Sequence, residues 1–116
     1  MKFKIFFLVL LLSLIFNPRA GAAVEEFIIT IKDHQFSPQE LAIPAGQKVK
    51  LIIENQDATA EEFESYDLNR EKVVAGNSQI IIFVGPLKPG TYEYFGEFHQ
   101  ATAQGVIVAV QPEDNH

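Results

Sequence analysis

Three histidines, His34, His99 and His116, and fifteen carboxylates are the side chains of this 116-residue chain that can coordinate a metal or exchange protons; there is no cysteine, and the one methionine is Met1. Imidazole and carboxylate together suit Fe, Mn, Zn or Cu(II), whereas Cu(I) wants the thiolate or thioether that is missing. The lack of cysteine excludes disulfides, thiolate zinc sites, iron–sulfur clusters and cysteine nucleophiles. Spacing alone builds no site, because His34 and His99 stand 65 residues apart and neither HExxH nor an EF-hand loop occurs. The carboxylates are densest from Glu61 to Lys72, where Glu61, Glu62 and Glu64 read at face value as a solvated face. Glu97 precedes His99 by two residues, so in an extended loop both face one side.

Short runs rich in Val, Ile, Phe and Tyr, separated by Gly, Pro, Asn and Asp, must position these groups, and they read as an all-β sandwich. Phe27, Ile29 and Ile31 share one face of a first strand, and Ile28 on the other suggests burial on both sides. Leu41 to Ile43 is a second strand, stopped by Pro44-Ala45-Gly46. Val49, Leu51 and Ile53 alternate with polar residues in a third, Gln79 to Val84 is an apolar run too short for a helix, and Tyr92 to Phe95 and Gly105 to Val110 close the domain. Thr59 followed by Glu62 makes a capping box, which allows a short helix within residues 59–72. Tyr92, Tyr94, Phe95 and Phe98 are expected as sandwich core and loop packing.

Residues 1–23 have the three parts of a secretory signal peptide: Lys2 and Lys4, the apolar run Ile5 to Phe16, and small residues before a cleavage point after Ala22 or Ala23. The alternative is an uncleaved anchor, although the run is short for a membrane span. Removing the leader takes Lys2, Lys4 and Arg19 with it, leaving 6 of the 9 bases against all 15 acids, a net charge of −9. Such a surface repels nucleic acid and anionic membranes. The expected organisation is a leader over 1–23, one domain over 24–110 and a frayed tail over 111–116, in a periplasmic protein.

Read in order, Phe36-Ser37-Pro38, Pro44-Ala45-Gly46, Asn55-Gln56-Asp57, Glu61-Glu62-Phe63, Pro89-Gly90-Thr91-Tyr92-Glu93-Tyr94 and the loop ending in His99 before Gly105-Val106-Ile107-Val108 resemble the cupredoxin family. The resemblance implies a Greek-key β-sandwich with metal ligands gathered at one end. Its first histidine position falls at Glu61 or Glu62, its cysteine position on Gly96 and its methionine position within Ala101-Thr102-Ala103, so only His99 survives of the usual set. A blue-copper electron carrier is excluded, since the Cu–thiolate bond cannot form.

The segments Ile31-Lys32-Asp33-His34, Asp57 to Ser65, Leu68 to Lys72 and Phe95 to His99 resemble a narrower group, the exported cupredoxin-like proteins associated with iron permeases of ferrous uptake. That likeness implies iron and/or non-blue copper held by N and O ligands, delivery to a membrane permease, and a ferroxidase-type activity. The implied topology would converge His34, Glu61 or Glu62, Glu97 and His99, with Glu62 the preferred carboxylate and Glu64 and Asp67 outer candidates. Anionic oxygens favour Fe(III) over Fe(II) and so ease oxidation of bound ferrous iron. The competing reading is a metal-free sandwich that docks onto a membrane transport partner. A carboxylate-pair hydrolase fits poorly, because the acids crowd into one segment with no second group across a cleft.

Overall fold

The computed structural model describes residues 23–112. The expected leader up to residue 22 and the tail from residue 113, His116 included, lie outside the described residues. The described chain forms nine strands: β1 (Glu25–Lys32), β2 (Gln35–Ser37), β3 (Glu40–Pro44), β4 (Val49–Asn55), β5 (Glu61–Ser65), β6 (Arg70–Val74), β7 (Ser78–Val84), β8 (Gly90–Gly96) and β9 (Gln104–Val110), with one 3₁₀ turn at Glu97–His99. They make a β-sandwich, with sheet orders β2-β1-β4-β7 and β3-β9-β8-β5-β6. Both sheets are mixed, since β1 runs parallel to β4 and β3 parallel to β9.

Period-two alternation explains the layering. Val49, Leu51 and Ile53 of β4 are fully buried, as are Ile29 and Ile31 of β1, and they meet Phe63, Val74, Tyr94 and Ile107 from the other sheet. Phe36, Phe63 and Tyr94 form a triangle of rings, with Tyr94 4.9 Å from Phe36 and 5.0 Å from Phe63, and the two phenylalanines 6.3 Å apart. Each large side chain so buried contributes roughly 1.5–3 kcal/mol.

Two sequence expectations give way here. The 59–72 segment is not helical: it forms the hairpin β5–β6, with Tyr66 to Asn69 as its turn and Asn69 at φ 56. Alternating burial of Glu61, Phe63 and Ser65 lets β5 pair with β6 on one side and β8 on the other, and that pairing outweighs the local capping box. Ile28 is half exposed, because the outer face of β1 carries no second layer among the described residues; it forms a row with Ile52 and Ile81. Of the aromatic series, Tyr94 is core, whereas Phe98 is 51% exposed and contributes little packing.

The β5–β6 turn is fixed by polar contacts. Ser65 donates to the Glu93 carbonyl at 2.6 Å and accepts from the Leu68 N–H, while Asp67 accepts from the Glu93 N–H at 2.8 Å. Asp67 therefore ties this turn to β8 rather than reaching toward the histidines.

Candidate metal centre

The site begins with Asn55, the buried last residue of β4. Its side-chain amide donates to the carbonyls of Thr59, Val74 and Ala75, and its oxygen accepts from the Asp57 N–H at 3.0 Å. This local net shapes the loop after β4. Asp57 is thereby aimed at the two-residue turn between β1 and β2, accepting from the N–H of Asp33 at 2.8 Å and of His34 at 3.0 Å. Asp33 and His34 have φ of 53° and 58°, the left-handed conformation a tight hairpin of this kind requires. That region is sparsely populated by side chains other than Gly and Asn, so the two Asp57 hydrogen bonds offset a local cost. The His34 N–H is the main influence holding the Asp57 carboxyl below its ordinary range, helped by the Asp33 N–H and the nearby imidazoles against the opposing effect of burial.

Glu61 opens β5 and points inward, 1% exposed. One oxygen accepts from the N–H of Phe98 at 2.8 Å and of Glu62 at 2.9 Å, and the other lies 2.8 Å from Nδ1 of His99. His99 ends the 3₁₀ turn, and its carbonyl accepts from the Ala103 N–H at 2.8 Å. The space for this carboxylate exists because residue 96 is glycine: a Cβ there would lie 2.6 Å from Glu61 Cδ and 2.7 Å from Ala103 Cβ. The carboxylate thus takes the space that a side chain at position 96, the family's cysteine position, would need, and buried Ala103 lies in the segment where a thioether would stand.

The two imidazoles meet in parallel. His34 and His99 stack with centroids 3.6 Å apart and planes inclined by 10°. Nδ1 of His34 is 3.4 Å from Asp57, so each ring turns Nδ1 to a carboxylate. A carboxylate accepts, so in the neutral ring the His99 proton sits on Nδ1 and the lone pair is on Nε2. A carboxylate behind the non-coordinating nitrogen is the usual support of a metal-binding histidine, fixing tautomer and ring orientation.

Of the residues singled out from the sequence, His34, His99 and Glu61 come together, and Asp57 joins them. Glu62 does not, and half-buried Glu97 lies near enough to Glu62 and Glu64 for its charge to raise both. Alternation along β5 turns Glu62 and Glu64 to the outer face, where Glu71 is the cross-strand partner of Glu64. Carboxylate oxygens of Glu62, Glu64 and Glu71 lie within 4.8 Å of one another. A hydrogen bond with Glu71 is the largest cause pushing the Glu62 carboxyl up to about 7, followed by desolvation and by the charges of Glu71, Glu64 and Glu97. Desolvation, then the charges of Glu71 and Glu97, raise Glu64 as well. This trio has the oxygen chemistry to hold a hard cation, and it is separate from the histidine pair.

Asp57 and Glu71 are the members that sequence reasoning passes over. Asp57 sits two residues past a strand-ending Asn, a usable turn signal, whereas Glu71 becomes visible only once the hairpin register is known.

Two mixed sheets packed face to face, with imidazoles and carboxylates gathered where the β1–β2 turn, the start of β5 and the 3₁₀ turn after β8 meet, define a small β-sandwich domain. The chain belongs to the cupredoxin-like domain family, whose model matches residues 4–109. It is 57% identical over 83 residues to an uncharacterized protein of Rickettsia prowazekii strain Madrid E, a match covering 72% of this chain and 66% of that protein. Among solved structures it is similar to auracyanin A, a "blue" copper protein of Chloroflexus aurantiacus, with TM-score 0.65 and 17% identity over 76% of this chain and all of that one. It is also similar to the metal-binding domain of the Cu(I)-exporting ATPase CopA of Streptococcus pneumoniae, with TM-score 0.63 and 12% identity over 78% of this chain and 89% of that one. At these identities the two structures establish the shared fold.

Proposed function

We propose that this chain is an exported, periplasmic cupredoxin-like protein that binds Fe(II) and/or Cu(II) through histidine nitrogen and carboxylate oxygen and supports ferrous iron uptake by handing iron to a membrane permease. The observation that carries the metal reading is the pair of imidazoles at one end of the sandwich, each with a carboxylate facing Nδ1. The ligand chemistry favours borderline and hard ions, because the chain has no cysteine and its one methionine is Met1 of the expected leader, which leaves no soft donor among the site residues for Cu(I). Iron uptake and the permease rest on the sequence resemblance. If Fe(II) is oxidised at this protein, Cu(II) held by the same nitrogen and oxygen donors would supply a one-electron acceptor for each Fe(II), consumed as Cu(I) unless a separate oxidant such as dioxygen restores it.

The test is anaerobic equilibrium dialysis of the protein against Fe(II), then Cu(II). Saturable binding of either ion is the expected result, and absence of binding by both overturns the reading.

One observation favours the metal-free docking module as the second reading: Ile28, Ile81 and Phe83 are 41–50% exposed on one outer sheet face, with the Lys48 ammonium 4.7 Å from the Phe83 centroid. Under that reading His99→Ala leaves attachment to the permease intact, and Ile81→Ser with Phe83→Ser abolishes it.

A further inference from the structure

We infer that the two imidazoles act unequally at the metal: His99 is the fixed donor through Nε2, and His34 caps it and has to leave the stack before it can donate. This deepens the metal-binding reading and rests on it.

The lone pair of an imidazole nitrogen lies in the ring plane, and a metal bound to it sits near that plane at roughly 2.0–2.1 Å. Two rings that share an ion must therefore lie in planes that intersect at the ion. The planes of His34 and His99 are inclined by only 10° with centroids 3.6 Å apart, so they do not meet within that reach. Stacked as they are, the rings cannot chelate one ion.

The anchoring of each ring says which one moves. His99 is held through a 2.8 Å contact to Glu61, whose side chain is 2% exposed and whose other oxygen is committed to two backbone N–H groups. Rotating His99 would strand a buried carboxylate oxygen, which is costly. The His34 side chain is 42% exposed, and its Nδ1 is 3.4 Å from Asp57, too long for a firm hydrogen bond. Asp57 grips the backbone of the turn, so a change of side-chain rotamer frees the ring without unfolding the hairpin. Leaving the stack gives up one half-exposed ring contact, a small loss next to a new metal–nitrogen bond.

The experiment is NMR of protein labelled with ¹⁵N in its histidine rings, metal-free and then titrated with diamagnetic Zn(II). The metal-free protein is expected to show inter-ring Overhauser contacts between His34 and His99. At Zn(II) saturation those contacts disappear, the Nε2 resonances of both rings report metal bonding, and His99 keeps its Nδ1 proton. In His34→Ala, His99 Nε2 still responds, at higher Zn(II) concentration. Inter-ring contacts that survive saturation, a His34 ring that never responds, or loss of the His99 Nδ1 proton would each overturn the inference while leaving metal binding intact. A Zn(II) titration that changes neither ring overturns the inference, and the metal-binding reading falls with it when dialysis shows that Fe(II) and Cu(II) do not bind either.

Discussion

The carboxyl carbon of Glu61 lies 2.6 Å from where a Cβ on residue 96 would stand, so Gly96 and Glu61 occupy one site between them. A side chain at 96 and a buried carboxylate at 61 are mutually exclusive. The consequence is a site without sulfur at position 96, in which the carboxylate that takes up the space beside Gly96 orients an imidazole.

Gly96→Ala should therefore be destabilising despite its size. The new methyl meets Glu61 and Ala103, both buried, and relief requires moving strand β8 or the carboxylate. A loss of about 1–3 kcal/mol is expected in urea denaturation. An unchanged midpoint would show that the two side chains have room to separate.

Glu61→Ala removes the acceptor of the Phe98 and Glu62 N–H groups and of His99 Nδ1. These donors are part-buried, so their loss of a partner should cost about 1–3 kcal/mol in total, and losing a supporting carboxylate typically lowers metal affinity about 10–100-fold. Denaturation and Cu(II) dialysis on the same variant measure both, and full affinity in a folded Glu61→Ala would show that His99 needs no support.

The outer glutamates predict a pH dependence with a defined sign. Glu62 ionises near 4.5 when unfolded and is pushed up to about 7 in the folded protein, chiefly by its hydrogen bond with Glu71. The folded state then holds a proton that the unfolded state has released, so this contribution is present below about pH 4.5 and is lost as pH rises toward 7. Glu71→Gln removes one of the crowded charges, so its stability should exceed that of the parent more at pH 8 than at pH 5. Equal differences at the two pH values would contradict the coupling.

Core and surface aromatics should separate cleanly. Phe63 is fully buried against Tyr94, whereas Phe98 is 51% exposed beside the histidine pair. Phe63→Ala is expected to cost about 3–5 kcal/mol and Phe98→Ala less than about 0.5, both read from thermal or urea unfolding. A large loss from Phe98→Ala would mean that its ring holds the 3₁₀ turn in place.

The strands were legible wherever apolar residues alternate, as in Val49, Leu51 and Ile53, because one face is buried and the other is not. The β5–β6 hairpin was not, since its inward positions include Glu61 and Ser65, buried for hydrogen bonds rather than for apolar area, and Glu61-Glu62 resembles a charged helix start. Missing the hairpin also hid the turning of Glu62 away from Glu61 and the pairing of Glu64 with Glu71. His34 and His99 could be joined only through the family resemblance, because no local pattern spans 65 residues. Asp57 escaped notice since its role is set by Asn55 and by a turn 24 residues earlier.

The most direct test of the account is to locate the metal. Anaerobic Fe(II) dialysis, followed by Cu(II), should be run in parallel on the parent protein, His99→Ala and Glu62→Gln. The account predicts saturable binding by the parent, loss of it in His99→Ala and its retention in Glu62→Gln. Binding that survives His99→Ala and fails in Glu62→Gln would place the metal on the outer glutamates and contradict the assignment to the histidine pair.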